Sequence, residues 1–385
     1  MKYPKITSAF LNLTNSCNLA CRYCFVHQNP KQMTLQTAKD AADWLASNAD
    51  GKEEPLINFF GGEPLLMWES IVKPLTEYVR GKYGKRFTLS MTSNCTLMTE
   101  EIAKFLHDND VSLLLSMDGD KKTQDWNRPL KNGESCFETL EKNLDTILRY
   151  WPTVTFRSTI TANTANQLFH NMMFAETRGF KNYFAMPNCF EEWQDADVET
   201  LKKQIALYSD HYVDCLQRGT VPIIFGDIEK MFRSIVLRNA AIESGDRRTS
   251  DGCKSCGKCG LGSAKFAGIN INGDVVTCQE FFSSDDAHFT IGNIYTEIDD
   301  KKREQLQKEW DEKEFSGDCC KDCPIDRICD GGCLANNYLA GDEHVVPTVF
   351  CQWRRILFDA AVYIMTELGN SKCEAFKTRW QNYVR

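Results

Sequence analysis

The chain has 385 residues, 42% of them hydrophobic, with 45 basic against 53 acidic residues and a formal net charge of −8. That length carries two domains, or one large and one smaller, around a substantial core. The acidic balance excludes a basic nucleic-acid footprint, and no stretch is long and apolar enough to span a bilayer. The opening "MKYPKITSAFLNL" is too short and too polar for a signal peptide, so the cytoplasm is the expected compartment.

In chain order, "AFLNL" (9–13), "LINFF" (56–60), "FTLSMT" (87–92), "VSLLLSM" (111–117), "VTFRSTI" (154–160) and "NYFAMP" (182–187) read as strands. Their apolar density predicts burial on both faces, as in a parallel sheet. Helical patterns lie between them. Thr99 precedes "EEIAKFLHDN", with acids in the first turn where the helix dipole favours them. Ser135 and Glu138 have capping-box spacing ahead of an apolar face of Phe137, Leu140, Leu144 and Leu148. Six β-α steps predict an α/β fold, a sheet or a partial barrel. Residues 197–250 read as a helical connector and 251–352 as an irregular Cys- and Gly-rich region. Within that region "GININGDVVTC" predicts a hairpin turning at Asn272-Gly273. Residues 353–385 open with a helix expected to pack on the body. This gives a core over 1–196 and three further segments with the bounds just stated.

Eighteen cysteines require an account. A reducing cytoplasm disfavours a disulfide framework, which leaves metal or redox chemistry. "NSCNLACRYCF" places Cys17, Cys21 and Cys24 at C-x3-C-x2-C, directly after the first strand. Three thiolates can hold three irons of a 4Fe–4S cube and leave the fourth open for chemistry. A single zinc, with His27 as fourth ligand, is the competing reading. The five scattered cysteines, Cys95, Cys136, Cys189, Cys215 and Cys373, read as ordinary thiols.

The segment "CNLACRYCF", including the aromatic Tyr23, resembles the signature of the radical S-adenosylmethionine (SAM) superfamily. The resemblance implies a partial (β/α)6 TIM-like barrel. It also implies an open iron that chelates SAM, and a 5′-deoxyadenosyl radical that takes a hydrogen atom from substrate. Further marks follow successive strands. "FFGGEP" resembles the superfamily's GGE motif, with Gly61 and Gly62 allowing close approach to a ligand and Glu63 accepting from SAM's amino group. "TSNC" supplies Asn94, with Cys95 where relatives often have glycine. Ser116 in "LSMDG" resembles a residue that reaches SAM's polar groups. Arg128 would pair with SAM's carboxylate, with Arg157 as its competitor for that role.

The second cysteine field, "CCKDCPIDRICDGGC" with Cys351 downstream and Cys259 and Cys278 upstream, resembles the SPASM extension of peptide- and protein-modifying radical SAM enzymes. That implies two auxiliary 4Fe–4S clusters, three in all. Carried over by position, Cys259, Cys278 and Cys333 would hold the first, with Cys253 or Cys256 completing it. Cys320, Cys323, Cys329 and Cys351 would hold the second, leaving Cys319 spare. Zinc knuckles built from the two C-x2-C units are the plainer alternative.

Within this class, anaerobic sulfatase maturases carry an Asp base directly after the cysteine equivalent to Cys278. Here that position is Gln279, a neutral amide that cannot take a proton, followed by Glu280. On a strand Glu280 would face the opposite side, which makes it a weak catalytic candidate. The expected activity is therefore maturation of a ribosomally made precursor peptide through a thioether or carbon–carbon crosslink. Formylglycine formation on a sulfatase, or small-molecule dehydrogenation or epimerisation, are the alternatives. Expected partners are a peptide or protein substrate and an electron donor such as flavodoxin or ferredoxin; about 16 residues before Cys17 leave no room for a leader-binding domain, so leader recognition is expected to be absent, supplied by a separate leader-binding protein, or made by the SPASM region. Neither nucleic acid nor a membrane is expected as a partner.

Overall fold

The structure is a computed structural model, and it describes residues 4–51, 53–244, 265–284, 287–311, 323–325, 328–329, 332–341, 346–371, 373, 374, 376 and 378. Strand and helix alternate from the start. The order is β1 (Ser8–Asn12), α1 (Leu35–Asn48), β2 (Leu56–Phe60), α2 (Lys73–Tyr83), β3 (Thr88–Ser93), α3 (Glu100–Asp108), β4 (Val111–Ser116), α4 (Lys121–Asn127) and α5 (Phe137–Tyr150). Next come β5 (Thr155–Ile160), α6 (Leu168–Thr177), β6 (Asn182–Pro187), α7 (Asp195–Gln217), β7 (Ile224–Phe225) and α8 (Gly226–Ser244). The remainder is β8 (Phe266–Ile269), β9 (Asp274–Val276), β10 (Thr290–Asn293), α9 (Asp300–Asp311), α10 (Leu334–Leu339) and α11 (Thr348–Asn370). All six expected strands and their β/α alternation are present.

The chain divides into two compact units. One comprises Met1–Ser116, Asp125–Val154 and Ser255–Glu312; the other Met117–Gln124, Thr155–Lys254 and Lys313–Arg385. In the first unit the strand order is β10-β9-β8-β1-β2-β3-β4. β1 to β4 are parallel, with Ser8 opposite Leu56 and Leu56 opposite Thr88. The expected hairpin β8–β9 adds itself to this sheet, its turn closing from Gly273 N–H to Asn270 C=O at 2.9 Å and so spanning 270–273 rather than Asn272-Gly273 alone, and β8 runs parallel to β1 with Phe266 opposite Ser8. Ala9, Leu11, Ile57, Phe59, Leu89 and Met91 stand in register on one face and are fully buried, whereas Phe10, Phe60, Ser90 and Thr92 on the other face are half-buried, so burial is unequal on the two faces rather than complete on both as expected.

The helices follow their sequence signals. Thr99 caps α3 by accepting the Ile102 N–H at 3.2 Å. Thr34 does the same for α1 from Thr37 at 3.0 Å, and α1 buries Ala38, Ala41, Ala42 and Leu45 at helical spacing. α5 buries Phe137, Leu140, Leu144 and Ile147, so Ile147 rather than Leu148 completes the stripe. Each such fully buried large aliphatic contributes roughly 1.5–3 kcal/mol. The Ser135–Glu138 pair differs from a capping box. Ser135 lies one residue before the cap, and its single hydroxyl proton is shared between two nearby acceptors, Glu138 Oε2 and Asp125 Oδ1.

In the second unit β5, β6 and β7 are parallel. Their core is aromatic. Phe156 stacks on Tyr183 at 5.2 Å and meets Phe180 edge-on at 5.1 Å, while Tyr183 meets Phe225 at 6.1 Å. Helix α11 packs against α7 and α8 and seats Trp353 6.0 Å from Phe225. No helix among the described residues is long and apolar enough to cross a membrane.

Candidate active site

The loop that follows β1 carries the three clustered cysteines and is clamped along its length. Met33 N–H donates to Leu13 C=O at 2.8 Å and Asn15 N–H to Lys31 C=O at 3.0 Å, closing its base. Farther out, Ala20 N–H donates to Pro129 C=O and Arg22 N–H to Asn127 C=O, at 2.8 and 3.0 Å. This backbone pairing with residues 127–130 carries Arg128 to the cysteines. Its Nη1 lies 3.9 Å from the Cys21 sulfur, and its guanidinium sits 5.3 Å from the Tyr23 ring centre. Arg128 is only 6% exposed.

The two glycines after β2 press on the same loop. A Cβ on Gly61, whose φ is +131°, would stand 2.4 Å from the Thr14 carbonyl oxygen; one on Gly62 would stand 2.2 Å from that of Ser16. Gly62 N–H donates to Thr14 C=O at 2.7 Å and Glu63 N–H to Ser16 C=O at 3.0 Å. The sequence reading assigned these glycines to the approach of a ligand. The structure shows them admitting the cysteine loop's own backbone. Glu63 is fully engaged as well. Its Oε1 accepts from Leu65 N–H at 3.0 Å and Ser93 Oγ at 2.8 Å, and its Oε2 from Asn94 N–H at 2.8 Å. The carboxylate thus ties the end of β2 to the end of β3. Its burial pushes its pKa up, against those three donors and the Arg128 charge.

Asn94 reaches the cluster of sulfurs. Its Nδ2 lies 3.8 Å from Cys17 Sγ and donates to Asn18 Oδ1 at 3.0 Å, while Asn18 Nδ2 donates to Thr96 Oγ1 at 2.7 Å. Asn18 and Thr96 escaped the sequence reading, although Asn18 stands inside the quoted C-N-x-x-C run. Cys95 takes φ +54°, a left-handed conformation that explains why glycine suits this position. Burial pushes the Cys17 thiol up to about 11, opposed by the Leu19 N–H at 3.4 Å and by Arg128. Cys24 is raised for the same first cause, with Arg128 lowering it and Glu280 raising it.

Glu280 does not sit on a strand. Gln279–Phe281 forms a 3-10 turn after Cys278, so the alternation that would turn Glu280 away does not operate. Its charge acts on Cys24, while Gln279 Oε1 lies 3.3 Å from the Cys278 sulfur.

Ser116 ends β4, half-buried. Arg157 donates to Thr159 Oγ1 at 2.7 Å and lies 6.0 Å from the Phe184 ring, held on its own strand pair. Cys253, Cys256, Cys259, Cys319 and Cys320 lie outside the described residues. Cys278, Cys323, Cys329, Cys333 and Cys351 are half-buried.

The donor set at the N-terminal loop fits a cluster. Backbone, amide and guanidinium N–H groups surround the Cys17 and Cys21 sulfurs, and donors of this kind stabilise cluster thiolates. Among the described residues no group of three Cys, His, Asp or Glu side chains is placed to hold one metal ion.

Comparison with known proteins agrees. Residues 11–167 match the model of the radical SAM superfamily. The chain is 25% identical over 393 residues to a cysteine-type anaerobic sulfatase-maturating enzyme of Clostridium perfringens, covering 96% of this chain and 99% of the relative. It is 23% identical to a serine-type anaerobic sulfatase-maturating enzyme of Bacteroides thetaiotaomicron, covering 84% and 81%. Among solved structures, native anSMEcpe with bound AdoMet and Cp18Cys peptide superposes with a TM-score of 0.74 at 22% identity, covering 94% of this chain and 99% of that one. Streptococcus suis SuiB bound to precursor peptide SuiA gives a TM-score of 0.60 at 14% identity, covering 90% and 76%. At these identities the structural likeness establishes the fold.

Proposed function

Taking this chain as the radical SAM enzyme that its 11–167 domain makes it, and SAM with 4Fe–4S iron as its cofactors, we propose that it matures a peptide. The reaction is hydrogen abstraction from a side-chain carbon followed by a thioether or carbon–carbon crosslink. Bound together, SAM and the clusters supply a 5′-deoxyadenosyl radical that takes the hydrogen atom and a sink for the electron released on bond formation. Cys17, Cys21 and Cys24 hold the SAM-binding cluster, with Arg128 and Asn94 as the charged and polar groups beside them. Glu280 takes the proton that a substrate thiol loses as its sulfur bonds to carbon.

The observation that carries this reading is the pair at 279–280. A neutral Gln279 follows Cys278, where the resemblance puts an acid in sulfatase maturases, and the adjacent carboxylate is Glu280 on the 3-10 turn that follows Cys278. The second reading, formylglycine formation, has one specific support: sulfatase maturases match this chain over almost their whole length. Under it Glu280 serves as the displaced base.

Mass spectrometry of a co-expressed Cys-containing peptide separates the two. A crosslink removes two hydrogen atoms and keeps the sulfur; formylglycine loses the sulfur. Deuterium placed on the attacked carbon should appear in 5′-deoxyadenosine, and no transfer from any peptide position refutes both readings. Oxygen-free protein should hold about 12 iron atoms, four in each of three clusters. Cys320→Ala should lower that count and Cys319→Ala should leave it intact; the reverse outcome overturns the assignment of Cys320, Cys323, Cys329 and Cys351 to one cluster. SAM cleavage that needs a reduced flavodoxin or ferredoxin in place of dithionite would identify the electron donor class.

A further inference from the structure

Beside the cysteine loop lies a cleft of about 350 Å³, bounded by residues 15–31 on one side and 270–284 on the other. These are the segments that carry Cys24 and Glu280. The cleft is lined by Asn15, His27, Asn29, Lys31, Ser283 and Ser284, among others. Its walls are fixed by a chain of amides that begins at the end of β1. Asn12, with no exposed surface, donates from Nδ2 to Asn15 Oδ1 at 2.9 Å and to Asn270 Oδ1 at 2.8 Å. Asn15 donates onward to Asn29 at 3.3 Å and Asn270 to the Phe282 carbonyl at 3.2 Å. His27 N–H closes the far side on Ser283 Oγ at 2.9 Å.

The charge in the cleft is one-sided. Lys31 and His27 are exposed there, no Asp or Glu lies among its described lining residues, and no ion pair among the described residues occupies either side chain. On a chain of net charge −8, a cation without a carboxylate partner is set up for an external acid. Its described lining residues include no arginine fork of the kind that favours phosphate, whereas their amides and hydroxyls offer both donors and acceptors, as a peptide main chain needs. A pre-fixed wall loses little freedom when a chain is laid along it.

We propose that this cleft is a substrate subsite that takes an acidic residue of the peptide, its carboxylate received by Lys31 and His27. It rests on the peptide reading above and adds to it a sequence preference: an Asp or Glu near the modified residue.

The test uses anaerobically reconstituted holoenzyme with SAM and three probes: a terminally blocked Gly-Ser peptide with one central Glu, the same peptide with a central Lys, and succinate. Binding is followed by ligand-observed NMR, which needs no turnover. The Glu peptide is expected to bind in preference to the Lys peptide. Lys31→Glu should weaken the Glu peptide by about tenfold or more and reverse the preference, and Lys31→Gln should weaken it without reversal. Lys122→Glu, a charge reversal elsewhere on the surface, should change nothing. Equal binding of both peptides, or an unchanged Kd in both Lys31 variants at full iron content, overturns the proposal. Succinate binding with Lys31 dependence while the Glu peptide fails overturns occupancy by peptide. The mass shift of a co-expressed peptide tests the maturation reading separately, so the two failures are distinguishable.

Discussion

Where β1, β2 and β3 end, the buried side chains are Asn12, Glu63, Ser93 and Asn94; along β5, β6 and β7 they are Phe156, Tyr183 and Phe225. The first set is joined by directed hydrogen bonds, most between 2.8 and 3.0 Å, that fix where a loop runs. The second is joined by ring contacts that bury area and tolerate small shifts. Hydrogen bonds of the first kind add little net stability but cost heavily when one partner is lost, whereas aromatic burial stabilises the whole unit. The site is therefore expected to fail locally and the aromatic stack globally.

The largest stability effect should come from the aromatic region. Phe156→Ala is expected to cost about 4 kcal/mol in urea unfolding, with iron per folded molecule unchanged. If iron falls in parallel with stability, the separation between the two regions is wrong. Gly62→Ala drives a Cβ into the Ser16 carbonyl and should cost about 3 kcal/mol. Its diagnostic is iron: the N-terminal cluster should be lost at denaturant concentrations where far-UV circular dichroism is still native. Cys95→Val places a β-branched side chain at φ +54° and should cost about 2 kcal/mol, whereas Cys95→Gly, which relieves the backbone while losing a buried thiol, should change stability by less than about 1 kcal/mol.

The smallest effect comes from a surface network outside both regions. Desolvation raises the Asp43 pKa, but hydrogen bonds from Lys82, Tyr83 and Tyr78 outweigh it and hold the carboxyl below its usual range. A depressed folded pKa gives stability that is present above the unfolded value, about 3.9, and is lost as pH falls through the folded value. Asp43 is partly exposed, so the contribution is screened. Asp43→Asn should cost about 0.5 kcal/mol at neutral pH, with the difference from the parent fading below about pH 4 in acid titrations of the unfolding midpoint.

Much of this was legible in the sequence. The six strands announced themselves as dense apolar runs, and Thr99 and Asn272-Gly273 did what local chemistry requires. The cysteine triplet lay at a strand end, as its spacing and position implied. Other features depend on partners far along the chain. β7 is two residues long inside "VPIIF", too short for periodicity to reveal. β8 finds its parallel partner across more than 250 residues, and Asn12 finds Asn270 over the same span. The demand for two glycines was visible, but its cause was not: the atoms they avoid belong to Thr14 and Ser16. Strand alternation does not apply at Glu280, because a 3-10 turn replaces the assumed extended chain.

The position of β8 has a consequence for how the molecule is made. β1 lies far upstream of one of its two neighbours, residues 266–269. Until that stretch has been synthesised, β1 stays an open edge with unpaired backbone groups, and Asn12 lacks one of its two acceptors. The cysteine loop therefore reaches its final support only once residues 266–270 are in place.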